Sequence, residues 1–358
     1  MLSQAFSALF LVSTAVRSVS AATACNNSPD LCSRQYNNVT YLGTHNAPFL
    51  RDASTDYSTS GNQFYNTSQQ LSAGVRLLTA QVQTPDNSTS LHVCHTSCSL
   101  LDAGTLSSWL SEVKTWLDSN ANEVVTILLV NGASASASDL AAAYTSSGLD
   151  SYAYTPAATS ASSSTWPTLE SLISNGTRAM NFIASLDENS AAPYLMNEFT
   201  YIAENRYDNT APTNYTCDVD RPANKPTSEI LSQGYMTLMN HFLYEQQLFN
   251  IQSPNESYAS TTNAPSGRGG TGNLGDSANE CTKVYGKAPN FLLVDFFNMG
   301  PSISTADRLN GVSSTTGRLS LPTTAPDESS SAASSFSISK TSTVCLGLSL
   351  ALVAFMLL

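Results

Sequence analysis

The chain has 358 residues, with 15 Lys+Arg against 27 Asp+Glu, a net charge of −12. That balance excludes general nucleic-acid binding and argues against electrostatic docking onto anionic lipid. Work at a membrane would need a separate attachment.

In chain order, residues 1–22 carry an apolar run followed by Ser20, Ala21 and Ala22. This reads as a secretory signal peptide, cleaved after Ala22 or Ala24. Short apolar segments then predict strands at 39–45, 75–82, 91–95, 124–130, 178–184, 199–203, 235–243 and 291–297. Helical patterns lie between several of them. In 105–117, Leu106, Trp109, Leu110, Val113, Trp116 and Leu117 share one face. A second helix, 168–174, opens at Trp166-Pro167-Thr168 and stops at Asn175-Gly176. Strand–helix alternation with about eight strands predicts an irregular (β/α)8 barrel over residues 25–310. Residues 313–343 are rich in Ser, Thr, Pro and Ala and read as a disordered, O-glycosylated stalk. Small residues near 330–333, a polar spacer and the apolar run 344–358 form the pattern of a GPI-attachment signal. The rival reading of that run is a transmembrane helix, for which 15 residues are short.

Seven cysteines occur, and Cys345 lies in the tail that anchoring would remove. The other six predict three disulfides in an oxidising compartment. Fifteen pairings are open, and spacing favours Cys25–Cys32, Cys94–Cys98 and Cys217–Cys281. The lack of a Cys-x-x-Cys pair argues against zinc. Glycosylation sequons stand at Asn26, Asn38, Asn66, Asn87, Asn175, Asn214 and Asn255.

The histidines are His45, His92, His95 and His241. His45 ends the first strand, where the pleat puts it on the face of Tyr41 and Gly43. Gly43 is expected to leave space beside the imidazole. His95 ends Leu91-His92-Val93-Cys94-His95, with His92 as the alternative member. Asp295 follows Phe291-Leu292-Leu293-Val294. The carboxyl ends of barrel strands converge on one face, so these three groups can meet there. Glu198 and Glu204 flank an apolar segment and are candidates to line the pocket. His241 reads as a core or supporting residue.

Tyr41-Leu42-Gly43-Thr44-His45-Asn46 resembles the first catalytic motif of the phosphatidylinositol-specific phospholipase C X-domain superfamily. Gly74-Val75-Arg76-Leu77-Leu78 is similar to that family's second strand. Leu91-His92-Val93-Cys94-His95-Thr96 is similar to its second histidine segment, and Phe291-Leu292-Leu293-Val294-Asp295-Phe296 to a late strand of its bacterial members. The likeness covers about 30–310 and is greatest to the fungal secreted branch of phospholipase C-like phosphodiesterases. It implies an α/β fold, an irregular TIM barrel of the PLC-like phosphodiesterase type. It implies His45 as general base, His95 as general acid and Asp295 as the partner of His45, acting on a phosphoinositide or GPI-like phosphodiester.

Two departures accompany the likeness. Animal members bind calcium through the Asn after the first His and through a Glu and an Asp on the second strand. Asn46 is kept, but Thr79 and Gln81 stand at the other two places, so calcium is not expected. Bacterial members use an Arg where Gln81 stands. Asn46, Thr79, Gln81 and Glu204 are therefore taken as substrate-binding residues, with no metal and no cofactor. Arg51 and Arg206 are loop candidates for neutralising the phosphate, and Arg76 reads as a structural ion-pair partner. The expected function is acid–base cleavage of a phosphodiester by a lipid-anchored, extracellular monomer. The alternative is a catalytically degenerate barrel that binds a surface glycan or lipid headgroup. A glycosidase would need two carboxylates, for which Glu198, Glu204 and Asp295 are the candidates.

Overall fold

The structure, a computed structural model, describes residues 24–163, 165–247 and 252–326. The expected signal peptide, anchor site near 330–333 and tail 344–358 lie outside the described residues. The chain divides into a unit ending at Ala325 and a C-terminal unit 326–358, of which only Pro326 is described.

The strands are β1 (Tyr41–Thr44), β2 (Leu77–Gln83), β3 (His92–Cys94), β4 (Asp102–Thr105), β5 (Val125–Asn131), β6 (Ala179–Ala184), β7 (Leu195–Asn197), β8 (Ile202–Asn205), β9 (Val219–Arg221), β10 (Met236–Asn240), β11 (Tyr244–Gln246), β12 (Gln252–Pro254) and β13 (Phe291–Val294). The α-helices are α1 (Thr67–Ser72), α2 (Leu106–Ser119), α3 (Ala137–Ser147), α4 (Leu169–Asn175), α5 (Glu198–Tyr201), α6 (Thr227–Ser232), α7 (Glu256–Thr262), α8 (Leu274–Tyr285) and α9 (Ile303–Asn310).

The main sheet runs β7-β6-β5-β2-β1-β13-β10-β8-β9. Every neighbour in that row is parallel except β9, which pairs antiparallel with β8. Eight parallel strands thus curl as in a TIM barrel, and among the described residues no pairing closes β7 onto β8. The short α5 fills the step between them. The expectation of eight strands holds in number but not in membership. The 91–95 segment forms β3, which folds antiparallel onto β2 and β4 outside the barrel row. Its place is taken by β7, three residues whose brevity hides them from pattern reading. The segment 199–203 is mostly α5, with the strand starting at Ile202.

The pleat explains the core. Tyr41, Leu77, Leu128, Met180, Phe182, Ile202, Met236, Leu238, Phe291 and Leu293 are buried in one cluster with Tyr36 and Trp166, filling the barrel. Residues of the other parity, including Leu42, Leu78, Ile127, Leu129 and Leu292, pack outward onto helices such as α2. The apolar face of α2 is as expected: Leu106, Trp109, Leu110, Val113, Trp116 and Leu117 are all buried, and Thr105 caps its first turn by accepting from Ser108 N. Gly43 belongs to this packing rather than to a ligand. A Cβ there would lie 2.7 Å from Leu77 Cδ2, so the room its missing side chain leaves is taken by Leu77.

Three disulfides join Cys25–Cys32, Cys94–Cys98 and Cys217–Cys281. Residues 313–325, read above as the start of a disordered stalk, form a strap on the barrel. Thr316 N donates to Asn27 O and Leu319 N to Ser72 O, at 2.9 and 2.8 Å. Arg318 grips Asp307 with both terminal nitrogens, at 2.6 and 2.8 Å. Asn298 Nδ2 donates to Pro322 O and Thr324 O. Leu321 packs on the main core and Ala325 beside Phe64 and Phe296.

Candidate active site

The inward parity that fills the barrel changes chemistry toward the carboxyl ends of the strands. Above Tyr41 and Gly43 stands His45. Above Leu77 stand Thr79 and Gln81, above Ile202 stands Glu204, above Leu238 stand Asn240 and Phe242, and above Leu293 stands Asp295. A cleft of ≈ 200 Å³ opens there, lined by His45, Asn46, Thr79, Gln81, Glu204 and Arg221 among others.

His45 and Asp295 meet although 250 residues apart, with Nδ1 and Oδ1 at 2.9 Å. They are neighbours because β1 and β13 pair in parallel, Thr44 opposite Val294. An ionised carboxylate only accepts, so Nδ1 carries the proton and Nε2 keeps a lone pair. Asn62 Nδ2 donates to the same Asp295 Oδ1 at 2.9 Å. Asn263 Nδ2 holds the backbone carbonyls of Asp295 and Phe296. Phe242 stacks flat on the His45 ring, centroids 3.8 Å apart and planes 5° apart.

His95 follows β3. Its backbone N donates to Leu101 O, the Cys94–Cys98 bridge straddles it, and Thr96 Oγ1 lies 3.3 Å from its Nδ1. Phe49 packs edge-on against its ring. Burial, and next the charge of His45, pull its pKa down to about 4, while Asp295 acts in the opposite sense. His95 itself is buried, 8% exposed, and does not line the cleft.

Asn46 takes a left-handed backbone, φ 53°, which Asn adopts more readily than other residues bearing a side chain. Thr79 Oγ1 accepts from its N–H at 2.9 Å. Gln81 Oε1 accepts from Thr96 N at 2.9 Å, and Gln81 Nε2 donates to Asn46 Oδ1 at 3.3 Å. Gln81 thus straps the His45 loop to the His95 loop. Both amide oxygens accept hydrogen bonds and neither belongs to a carboxylate, so these residues fit a divalent cation poorly. Elsewhere, His92, Cys94 and Asp102 lie within 4.8 Å of one another. Cys94 is spent in its disulfide, and His92 Nδ1 pairs with Asp102 at 2.9 Å.

The far wall holds a cation that sequence reading missed. Arg221, from β9, forms an ion pair with Glu204 Oε2, lies over the Tyr207 ring at 4.5 Å and faces the cleft. Asn240 Nδ2 also donates to Glu204 Oε2, at 3.3 Å. Glu198 is buried beside them. Burial, then the charge of Glu204, push its pKa well above the usual carboxylate range.

The other candidates fall outside the cleft. Arg51 pairs with Glu256 at 2.7 Å and with Thr59 O, and Arg206 pairs with Asp208 on the surface. Arg76 pairs with buried Glu123 near the other end of the barrel. His241 is fully buried, stacks on Tyr215 and points Nε2 at the carbonyls of Thr262 and Gly272. Asn62, Phe242 and Asn240 also escaped sequence reading. Strand parity was the available signal for Asn240 and Phe242. Nothing local marks Asn62, which reaches the site from a loop.

A family model described as PI-PLC X 1 matches residues 31–310. The PI-PLC X domain-containing protein 1 of Arthroderma benhamiae is 36% identical over 290 residues, covering 80% of this chain and 90% of that protein. A second protein of that fungus, an uncharacterized secreted protein, is 37% identical over 279 residues, covering 77% of this chain and 60% of its own length. Among solved structures, the F249X mutant of phosphatidylinositol-specific phospholipase C from Staphylococcus aureus superposes with a TM-score of 0.50 at 14% identity. It covers 78% of this chain and 97% of that one, and the likeness is one of fold.

Proposed function

The chain belongs to the PI-PLC X family, and from that premise we propose that it cleaves a phosphoinositide or GPI-like phosphodiester by acid–base catalysis. The observation that carries the reading is the 2.9 Å contact between His45 Nδ1 and Asp295 Oδ1 at the mouth of the barrel. It leaves His45 Nε2 free to take a proton from the inositol 2-hydroxyl. That oxygen attacks phosphorus, so no protein nucleophile is needed. Asp295 holds the tautomer and stabilises the imidazolium. His95 protonates the leaving alcohol. The low pKa of His95 keeps it neutral in the free protein at neutral pH, and the anionic phosphodiester offsets this by favouring the charged ring. Glu204 and Arg221 offer an acceptor and a donor side by side, a pairing suited to the hydroxyls of the headgroup. Thr79 sets the Asn46 backbone.

Three disulfides and the name of the secreted relative support an extracellular setting. Attachment by a GPI anchor near 330–333 belongs to the same reading, as do glycans on the exposed Asn38, Asn66, Asn87, Asn175 and Asn214 and on half-buried Asn255. Asn26 is buried and its Oδ1 accepts from Val124 N, so it is not an acceptor in the folded chain.

The test is incubation of the purified ectodomain with phosphatidylinositol vesicles, with and without chelator. Cyclic inositol phosphate should form in both and fall at least ~10²-fold in His45→Ala. Headgroup binding without turnover would favour the alternative, a binding protein on the same barrel. The neutralisation of Arg221 by Glu204 is the feature that favours it.

A further inference from the structure

Among the described residues the one Lys or Arg lining the cleft is Arg221, which is paired with Glu204, and this leaves open what steadies the phosphoryl oxygens. The hydrogen-bond directions around Gln81 bear on this. Thr96 N is a backbone donor, so the Gln81 atom 2.9 Å from it must be the oxygen. Gln81 therefore turns its nitrogen to Asn46, and the Asn46 atom 3.3 Å away must be oxygen as well. The relay runs one way, Thr96 to Gln81 to Asn46. It leaves Asn46 Nδ2 with two hydrogens and no acceptor. Asn46 is 2% exposed, adjoins His45 and lines the same cleft. A buried, unpaired amide donor is costly unless a ligand satisfies it.

We infer that Asn46 Nδ2 donates to a non-bridging phosphoryl oxygen, and that Gln81 is the positioning residue that turns it toward the ligand. The inference rests on the phosphodiesterase reading and adds its charge-steadying group. Asn46 exchanges no proton. The 2-hydroxyl proton goes to His45 Nε2 as the new P–O bond forms. The bond from phosphorus to the lipid oxygen breaks as that oxygen takes the His95 proton. A neutral amide placed in advance steadies charge that grows on the phosphoryl oxygen during this exchange, and removing one such donor costs about 10²–10³-fold in kcat.

The experiment uses phosphatidylinositol vesicles and the two phosphorothioate diastereomers of the same lipid. The variants are Asn46→Gly and Asn46→Asp, both at ease with a left-handed backbone, and Gln81→Glu. The native chain should discriminate between the diastereomers. Asn46→Gly should lower kcat about 10²-fold with KM little changed, and should shrink that discrimination. Asn46→Asp should do at least as much, since an oxygen then faces an oxygen. Gln81→Glu should act like Asn46→Gly although Asn46 is intact. The carboxylate accepts from both neighbours, so the amide turns and presents its oxygen to the cleft. Turnover by the native chain with an unchanged diastereomer ratio in folded Asn46→Gly and Asn46→Asp overturns this inference alone. No turnover by the native chain overturns it together with the reading beneath it.

Discussion

His45 is held on three sides: Asp295 at Nδ1, Phe242 on one face, and Asn62 steadying the carboxylate. Asp295 is thus a tautomer lock, and its replacement by Asn offers His45 a group that can donate as well as accept. Asp295→Asn should reduce kcat about 10²–10⁴-fold while the vesicle-binding isotherm stays unchanged. Steady-state assays beside a sedimentation binding assay check this. At this scale the sequence was informative where type and position coincide. A histidine ending an apolar strand, and an aspartate after four apolar residues, were findable because burial makes such residues expensive without a task. Arg221 was not. It comes from a three-residue strand in an irregular stretch, and its place depends on β9 pairing with β8 from the opposite direction. Arg51 looked better placed in the chain but is consumed by Glu256.

Elements with long runs were legible and short ones were not. The helix α2 and strands β2, β5 and β6 emerged from periodicity because they bury a full face. The segment β7 has three residues, too few to show a period. The segment β3 has strand composition, and composition does not say whether a strand joins the barrel row or folds back on a neighbour. Composition also misled at 313–325, where small polar residues suggested disorder. Backbone hydrogen bonds, the Arg318–Asp307 pair and Leu321 fix the strap instead. Truncation after Asn310 should therefore lower stability by about 2 kcal/mol, roughly the worth of one buried aliphatic side chain with its bonds. Truncation after Pro326 keeps every strap contact and should retain that contribution. Denaturant titration of the two truncated chains separates these outcomes.

The whole molecule buries two imidazoles in neutral form. His95 and His241 both have pKa values pulled down to about 4, in each case chiefly by burial. The unfolded chain binds their protons near the ordinary histidine value of about 6.5. Stability is thus complete above that pH and is lost as pH falls toward 4, where the folded protein begins to protonate too. Each histidine should remove about 3 kcal/mol across that window. The slope of stability against pH between 6.5 and 4 should fall in His241→Gln, which removes one of the two buried imidazoles. The strap bears on the whole molecule in another way. Ala325 rests beside Phe296, and Phe296 is the covalent neighbour of Asp295. The end of the strap is therefore packed in the same small cluster as the residue that follows the carboxylate of the site. Loosening the strap would thus unpack the wall behind Phe296, a consequence for the site carried through the chain rather than through the cleft.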